Sequence, residues 1–277
     1  MRTLTLGYSP CPNDTFIFFA LANNRIDTRN LRFREILEDV ETLNQRARRA
    51  ELDITKVSFH ALGYLRDDYV LLRSGGALGK GCGPLVVARE AYSMEDLRGK
   101  TIAIPGRLTT AFLLLQLFDP ALGAQISVMP FHAILDAVKN GGVDAGLIIH
   151  ESRFTYQAAG LKEVLDLGSW WEGLTGLPIP LGGIIAKRSL GAACIGNISA
   201  CIRDSIRYAL EKPEEPKGYI RQHAQELDGA VIEQHIKLYV NNYSLDLGDD
   251  GIRAVHEFFR MSEEKGLTSR SSKQLME

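Results

Sequence analysis

Short apolar runs alternate along this chain with stretches whose apolar residues recur at helical spacing. TLTLGYS, near the N-terminus, has the every-second-residue pattern of a half-buried strand. SPCPND follows as a proline-punctuated loop, and DTFIFFALANN reads as a helix that Asn13 or Asp14 is placed to cap. LRFREIL alternates as a second strand. In DVETLNQRARRAE the apolar positions Val40, Leu43, Ala47 and Ala50 share one helix face, and ITKVSF returns to a strand pattern. Strands alternating with helices predict an α/β fold with a largely parallel sheet between helical layers.

Beyond the glycine-rich loop RSGGALGKGCG the same grammar restarts. PLVVARE predicts a strand, SMEDLRGK a short helical segment, TIAIPG a strand, TTAFLLLQLF and FHAILDAVKN helices, and VDAGLIIH a strand. GSWWEGLTGLPIPLGG is too rich in Gly and Pro to predict a regular element, and from IGNISACIRDSIRYALEK onward the pattern is almost wholly helical. The expectation is two lobes: a discontinuous first lobe of residues 1–87 plus 187–277, with the C-terminal helices packing back, and a second lobe of residues 88–186.

RRAELDITKVSFHA and VKNGGVDAGLIIHES echo each other, with Asp53 and Asp144 in corresponding places. Two α/β lobes obeying similar rules produce such an echo without any duplication. The alignment puts Ser58 and His150 at the carboxyl ends of strands in different lobes, and ligand crevices of open sheets lie at those ends.

Composition narrows the function classes. With 277 residues, 45% hydrophobic and 24% charged, and a net charge of -2, the chain can bury a substantial core and shows no basic excess for nucleic acid or a membrane surface. The four cysteines Cys11, Cys82, Cys194 and Cys201 have no C-x-x-C spacing, which predicts reduced thiols rather than a zinc or redox centre. The N-terminal segment lacks a continuous apolar core of the kind a secretory signal carries, and a cytoplasmic location is expected. A small-molecule substrate is the expected partner.

Candidate chemistry lies in four places. The glycines at 75, 76, 79, 81 and 83 satisfy neither G-x-G-x-x-G nor the Walker spacing, leaving a crossover between lobes or a backbone that approaches a ligand. In PGRLTTAF a strand gives way to a helix at Thr109-Thr110, where hydroxyls and free N–H groups attract an anion; the same threonines serve equally as ordinary caps. His150 ends the apolar run AGLII, and an imidazole there is placed to take a proton, although histidines beside core strands are often simply hydrogen-bonded core residues. If the strand continues, Glu151 faces away from His150. Trp170, Trp171, Tyr8 and Tyr156 suit either an aromatic substrate or packing. No two histidines have ligand spacing, so no metal site is expected, and no G-x-S-x-G elbow indicates a hydrolase.

SPCPNDTFIF, DVETLN, DITKVSFHA, SGGALGKGCGPLVVA, IPGRLTTA, GLIIHESRFTY and WWEGLTGLPIPLGGI together resemble the 1,4-dihydroxy-6-naphthoate synthase family of the futalosine route to menaquinone. The resemblance spans most of residues 1–190. It implies a two-lobed fold of the periplasmic-binding-protein type (type II) with the ligand between the lobes. It further implies a lyase that converts cyclic de-hypoxanthine futalosine to 1,4-dihydroxy-6-naphthoate without metal or organic cofactor. By the same resemblance the base is His150, and the polar ligand contacts are Asn44, Ser58, Thr110 and Ala111, beside the cap Thr109. A small-molecule binding protein, or a chorismate dehydratase-like enzyme of the same fold, is the competing expectation; the I-I-H-E string favours the lyase, since a pure binder needs no base there.

Overall fold

A computed structural model describes residues 2–93, 95–224 and 228–277. In chain order the first elements are β1 (Arg2–Tyr8), α1 (Pro12–Ala22), β2 (Leu31–Leu37), α2 (Val40–Arg48), β3 (Ile54–Ser58), α3 (Phe59–Leu62), β4 (Tyr69–Leu71) and β5 (Ala77–Gly79). The second group comprises β6 (Leu85–Ala88), β7 (Ile102–Ile104), α4 (Thr110–Phe118), β8 (Ile126–Val128), α5 (Ile134–Lys139), β9 (Ala145–Ile148), α6 (Ser152–Thr155) and β10 (Lys162–Asp166). The chain continues with α7 (Leu167–Thr175), β11 (Ile179–Lys187), α8 (Ala192–Glu211), α9 (Lys217–His223), α10 (Gly229–Tyr239), α11 (Asn242–Leu245) and α12 (Gly248–Glu264).

Two sheets result: a six-stranded one in the order β2-β1-β3-β11-β4, with β5 also on β11, and a five-stranded one in the order β10-β6-β9-β7-β8. Each is mixed rather than largely parallel. β1 runs parallel to β2 and β3, but β11 is antiparallel to β3, β4 and β5; β7 runs parallel to β8 and β9, but β6 is antiparallel to β9 and β10. The antiparallel members are the strands next to the crossovers, where the chain leaves one sheet and returns. β6 pairs in the second sheet and β11 in the first, so the strands change sheet nearer residues 80–84 and 167–178 than the expected 87/88 and 186/187.

Both faces of each sheet are covered, which explains why several strands read as continuous apolar runs. In β6, Leu85 and Val87 join one core while Val86 and Ala88 join another. One face of the first sheet packs Leu4, Leu6 and Ile184 on Phe16 and Phe18 of α1 and Ile198, Ile202 and Ile206 of α8. The largest core runs without a break from Val57 and Ile185 through Phe258 and Phe259 of α12 to Leu113 of α4, Trp171 of α7 and Ile102, joining the two sheets.

Asp53 and Asp144 do the same job in each lobe: Asp53 Oδ2 accepts from the Thr5 N–H at 2.9 Å and Asp144 Oδ2 from the Thr101 N–H at 2.9 Å. The echo therefore marks a shared way of tying a strand to its parallel neighbour. Several expectations are corrected. GSWWEGLTGLPIPLGG is regular after all: Asp166 caps α7 by accepting from the N–H groups of Gly168 and Ser169, Gly176 ends it at φ 71, and β11 follows. Residues 95–100 form turns rather than a helix, Met94 lying outside the described residues. α1 is capped by Cys11 with no side-chain bond, not by Asn13 or Asp14, because Pro12 already opens the helix. Among the described residues no helix is long and apolar enough to cross a membrane.

Candidate active site

The carboxyl ends of β3 and β9 face one cleft, whose roughly 690 Å³ is partly open to solvent. One wall carries Ser9, Asn13, Asp14, Lys56 and Ser58; the other carries Thr109, Thr110, Ala111 and His150, and Gly182 and Tyr239 also line it. Ser58 and His150 thus meet at the same cleft from different sheets.

β9 stops at Ile148, and His150 sits in the left-handed region at φ 56. That conformation is unusual for a side chain larger than glycine and costs of order 1–3 kcal/mol. It overturns the expectation that Glu151 faces away: the turn brings both side chains to one side, where Cys11, His150 and Glu151 offer ligand-type atoms all within 4.8 Å of one another. Glu151 is buried, and its Oε2 has no hydrogen-bond partner among the described residues. The imidazole of His150 lies against the Phe131 ring at 4.9 Å and stacks on His235 at 6.1 Å with an 8° interplanar angle. Burial pushes the His150 pKa below its ordinary value, while the Glu151 carboxylate and then Asp14 oppose that shift. The ring is therefore neutral near pH 7 and holds a free lone pair.

His235 is held the other way. Its Nε2 lies 3.0 Å from the Asn13 Oδ1, which can only accept, so Nε2 carries the proton. Its Nδ1 is buried without a partner among the described residues, and burial holds its pKa well below the ordinary value. On the first-lobe wall, Lys56 Nζ pairs with Asp14 Oδ1 at 2.7 Å, and Asp14 also accepts from Asn13 Nδ2 and the Ser9 N–H.

The predicted contact residues divide into two kinds. Ser58, Thr109, Thr110 and Ala111 line the cleft, whereas Asn44 is fully buried behind it. Asn44 Oδ1 accepts from the Ser58 N–H at 2.9 Å, and its Nδ2 donates to Ser58 Oγ at 3.2 Å and to the Leu108 carbonyl at 3.4 Å. Its position is that of a brace across the lobes. Thr109 caps α4 through Phe112, and Thr110 Oγ1 donates to the Leu181 carbonyl. Among the described residues no hydrogen bond engages the N–H groups of Thr110 and Ala111 at the start of α4. His60 is a core histidine, its Nδ1 donating to the Thr109 carbonyl at 3.2 Å, and burial lowers its pKa to about 4.

The aromatic candidates are packing residues: Trp171 is fully buried and donates to the Pro178 carbonyl, Trp170 meets Phe118, and Tyr8 binds Glu35 and Tyr219. Tyr156 donates to Glu163. In the glycine loop, Gly83 lines the cleft, and a Cβ there would come within 2.3 Å of the Gly168 backbone, so the loop is a tight crossover as well as a cleft wall. Lys56, Asp14, Cys11, Glu151, His235 and Tyr239 were not among the predicted site residues.

A curated relative from Thermus thermophilus, "1,4-dihydroxy-6-naphtoate synthase", is 50% identical over 275 residues, covering 99% of each chain. Another of the same name from Streptomyces coelicolor is 49% identical, covering 96% of this chain and 94% of its own. The crystal structure of an Archaeoglobus fulgidus protein superposes with a TM-score of 0.90 at 38% identity, over 96% of this chain and 98% of that one. A Candida albicans gene product described as having the generic periplasmic binding protein fold matches with a TM-score of 0.70 at 16% identity, over 98% and 92%, so the fold is of that type. A family model described as "Menaquinone biosynthesis" matches residues 4–264, and with these relatives it establishes that the chain belongs to the menaquinone biosynthesis family.

Proposed function

We propose that this protein is a cytoplasmic lyase that converts cyclic de-hypoxanthine futalosine to 1,4-dihydroxy-6-naphthoate, with His150 as the general base. The observation that carries the reading is a neutral, half-buried imidazole, locked by Phe131 and His235 at the cleft, opposite Ser58. A base poised in this way takes a proton from a bound substrate, and holding it rigidly lowers the barrier to transfer. The free N–H groups of Thr110 and Ala111, at the start of α4, receive a carboxylate or carbonyl oxygen. Ser58, fixed by Asn44, meets the sugar-derived part, beside the Asp14–Lys56 ion pair. Loss of the sugar-derived fragment then leaves the aromatic naphthalene ring, whose formation drives the reaction forward.

The test is incubation of the purified protein with cyclic de-hypoxanthine futalosine, followed by mass spectrometry for the naphthoate. Product formation is expected. Binding of the compound with no product would favour a small-molecule binding protein, and turnover of chorismate instead would favour the dehydratase reading.

A further inference from the structure

Cys11 takes no part in that mechanism, yet it lies where a thiol has consequences. Its backbone is fixed as the N-cap of α1, its carbonyl accepting from the Thr15 N–H at 3.0 Å. Cys11 is 4% exposed, and its Sγ accepts from Ser9 Oγ at 2.8 Å. Across from it sits Glu151, 7% exposed, with Oε2 lacking any hydrogen-bond partner among the described residues. A buried carboxylate oxygen without a donor is costly and points to something that fills the gap. The third atom is an imidazole nitrogen of His150, and all three lie within 4.8 Å of one another.

We propose that Cys11, His150 and Glu151 bind a thiophilic divalent cation of the Zn2+ type, and that its occupancy blocks turnover by capturing the His150 lone pair. Sulfur, imidazole nitrogen and carboxylate oxygen form a donor set suited to Zn2+, and a tetrahedral ion held by three side chains keeps a fourth position open toward the cleft. Donors on a tetrahedral ion sit roughly 3–4 Å apart given metal–ligand lengths of about 2.0–2.3 Å, so a spread of up to 4.8 Å closes with small side-chain rotations.

Burial and then the Glu151 carboxylate hold the Cys11 thiol pKa well above its ordinary value, so the ion itself must offset the cost of the thiolate. Binding displaces the thiol proton, and a thiolate, a carboxylate and a neutral imidazole then balance a 2+ cation in a buried site. The nearby charges that act on His150 are Glu151, Asp14, Lys56 and Asp39, of which Lys56 is neutralised by its pair with Asp14. Ser9 donates to the sulfur and His235 stacks on the imidazole, so two ligands arrive already oriented by outer contacts. The blocking half of the proposal rests on His150 being the base; the binding half does not.

The full-length reduced, metal-free protein is titrated with Co2+ as the spectroscopic probe, then with Zn2+ to displace it. Binding of one equivalent with a thiolate-to-cobalt charge-transfer band is expected, with the band lost in Cys11→Ser. Glu151→Gln weakens binding by about tenfold or more, the drop that even outer partners of a metal produce. Absence of the band, or its survival in Cys11→Ser, which would place the metal on another cysteine, overturns the site. In the turnover assay, one equivalent of Zn2+ abolishes product formation and a chelator restores it. Full turnover with Zn2+ demonstrably bound overturns the blocking half. A protein that binds Co2+ through Cys11 but never turns over the futalosine compound removes the base assignment and the blocking half, and leaves the site standing.

Discussion

Replacing Lys56 by Met keeps the aliphatic stem and removes the charge from a pair whose side chains are only 7% and 3% exposed. The ammonium lies 2.7 Å from Asp14 Oδ1, and its loss leaves a carboxylate buried. Breaking a buried pair from one side costs about 3–5 kcal/mol. Asp14 keeps two donors, Asn13 Nδ2 at 2.9 Å and the Ser9 N–H at 3.2 Å, which places the expected loss at the lower end, about 3 kcal/mol. For a chain of 277 residues, unfolding entropy near 2 cal/mol/K per residue converts this to a fall in Tm of about 5 °C. Adding Asp14→Asn removes the stranded charge, so the double variant melts above Lys56→Met alone. Thermal melts followed by circular dichroism read both. A fall below about 2 °C for Lys56→Met, or no recovery in the double variant, would refute the view that this wall of the cleft is organised by a dry ion pair.

The other substitutions probe the cleft and its crossover. Glu151→Gln removes the charge that holds the His150 pKa up against burial, so that pKa falls further and the acidic limb of the kcat/KM pH profile moves to lower pH; an unmoved or raised limb contradicts the coupling. Asn44→Ala leaves the Ser58 N–H buried without its acceptor, costing about 1–3 kcal/mol in denaturant unfolding, and an unchanged midpoint would deny Asn44 its bracing role. Gly83→Ala places a methyl within 2.3 Å of the Gly168 backbone and destabilises the protein by about 1–3 kcal/mol; a neutral result would mean the crossover relaxes freely.

Much of this architecture was legible because apolar spacing reports burial directly. LRFREIL reads and folds as one strand, and TTAFLLLQLF as one helix. The failures have local causes. WEGLTG looked irregular because two glycines interrupt it, yet Asp166 supplies its cap and Gly176 its left-handed end, signals that outweigh one interior glycine. IPLGGIIAK hides a strand because its proline falls where the ladder with β5 shifts register. Strand direction was out of reach, since β11 returns from another lobe and nothing local encodes which way it pairs.

At the site, the strand-end position of His150 and the start of α4 were readable from single segments. The position of Glu151 was not, because a left-handed histidine breaks the alternation on which facing arguments rest. Cys11, Asp14 and His235 join the cluster from α1 and α10, separations that periodicity does not register. Asn44 was identified through motif resemblance, but its burial behind Ser58 needed the packed structure.

The central claim, that His150 is the base in this cleft, is tested most directly by the turnover of His150→Asn with cyclic de-hypoxanthine futalosine, measured beside the unmodified protein at saturating substrate. Asn keeps a polar, planar side chain but has no proton-accepting lone pair of comparable basicity. The account predicts that kcat falls by about a hundredfold or more with the melting temperature nearly unchanged. A kcat within about threefold of the unmodified protein would contradict it, and would make His150 a structural residue of the turn after β9.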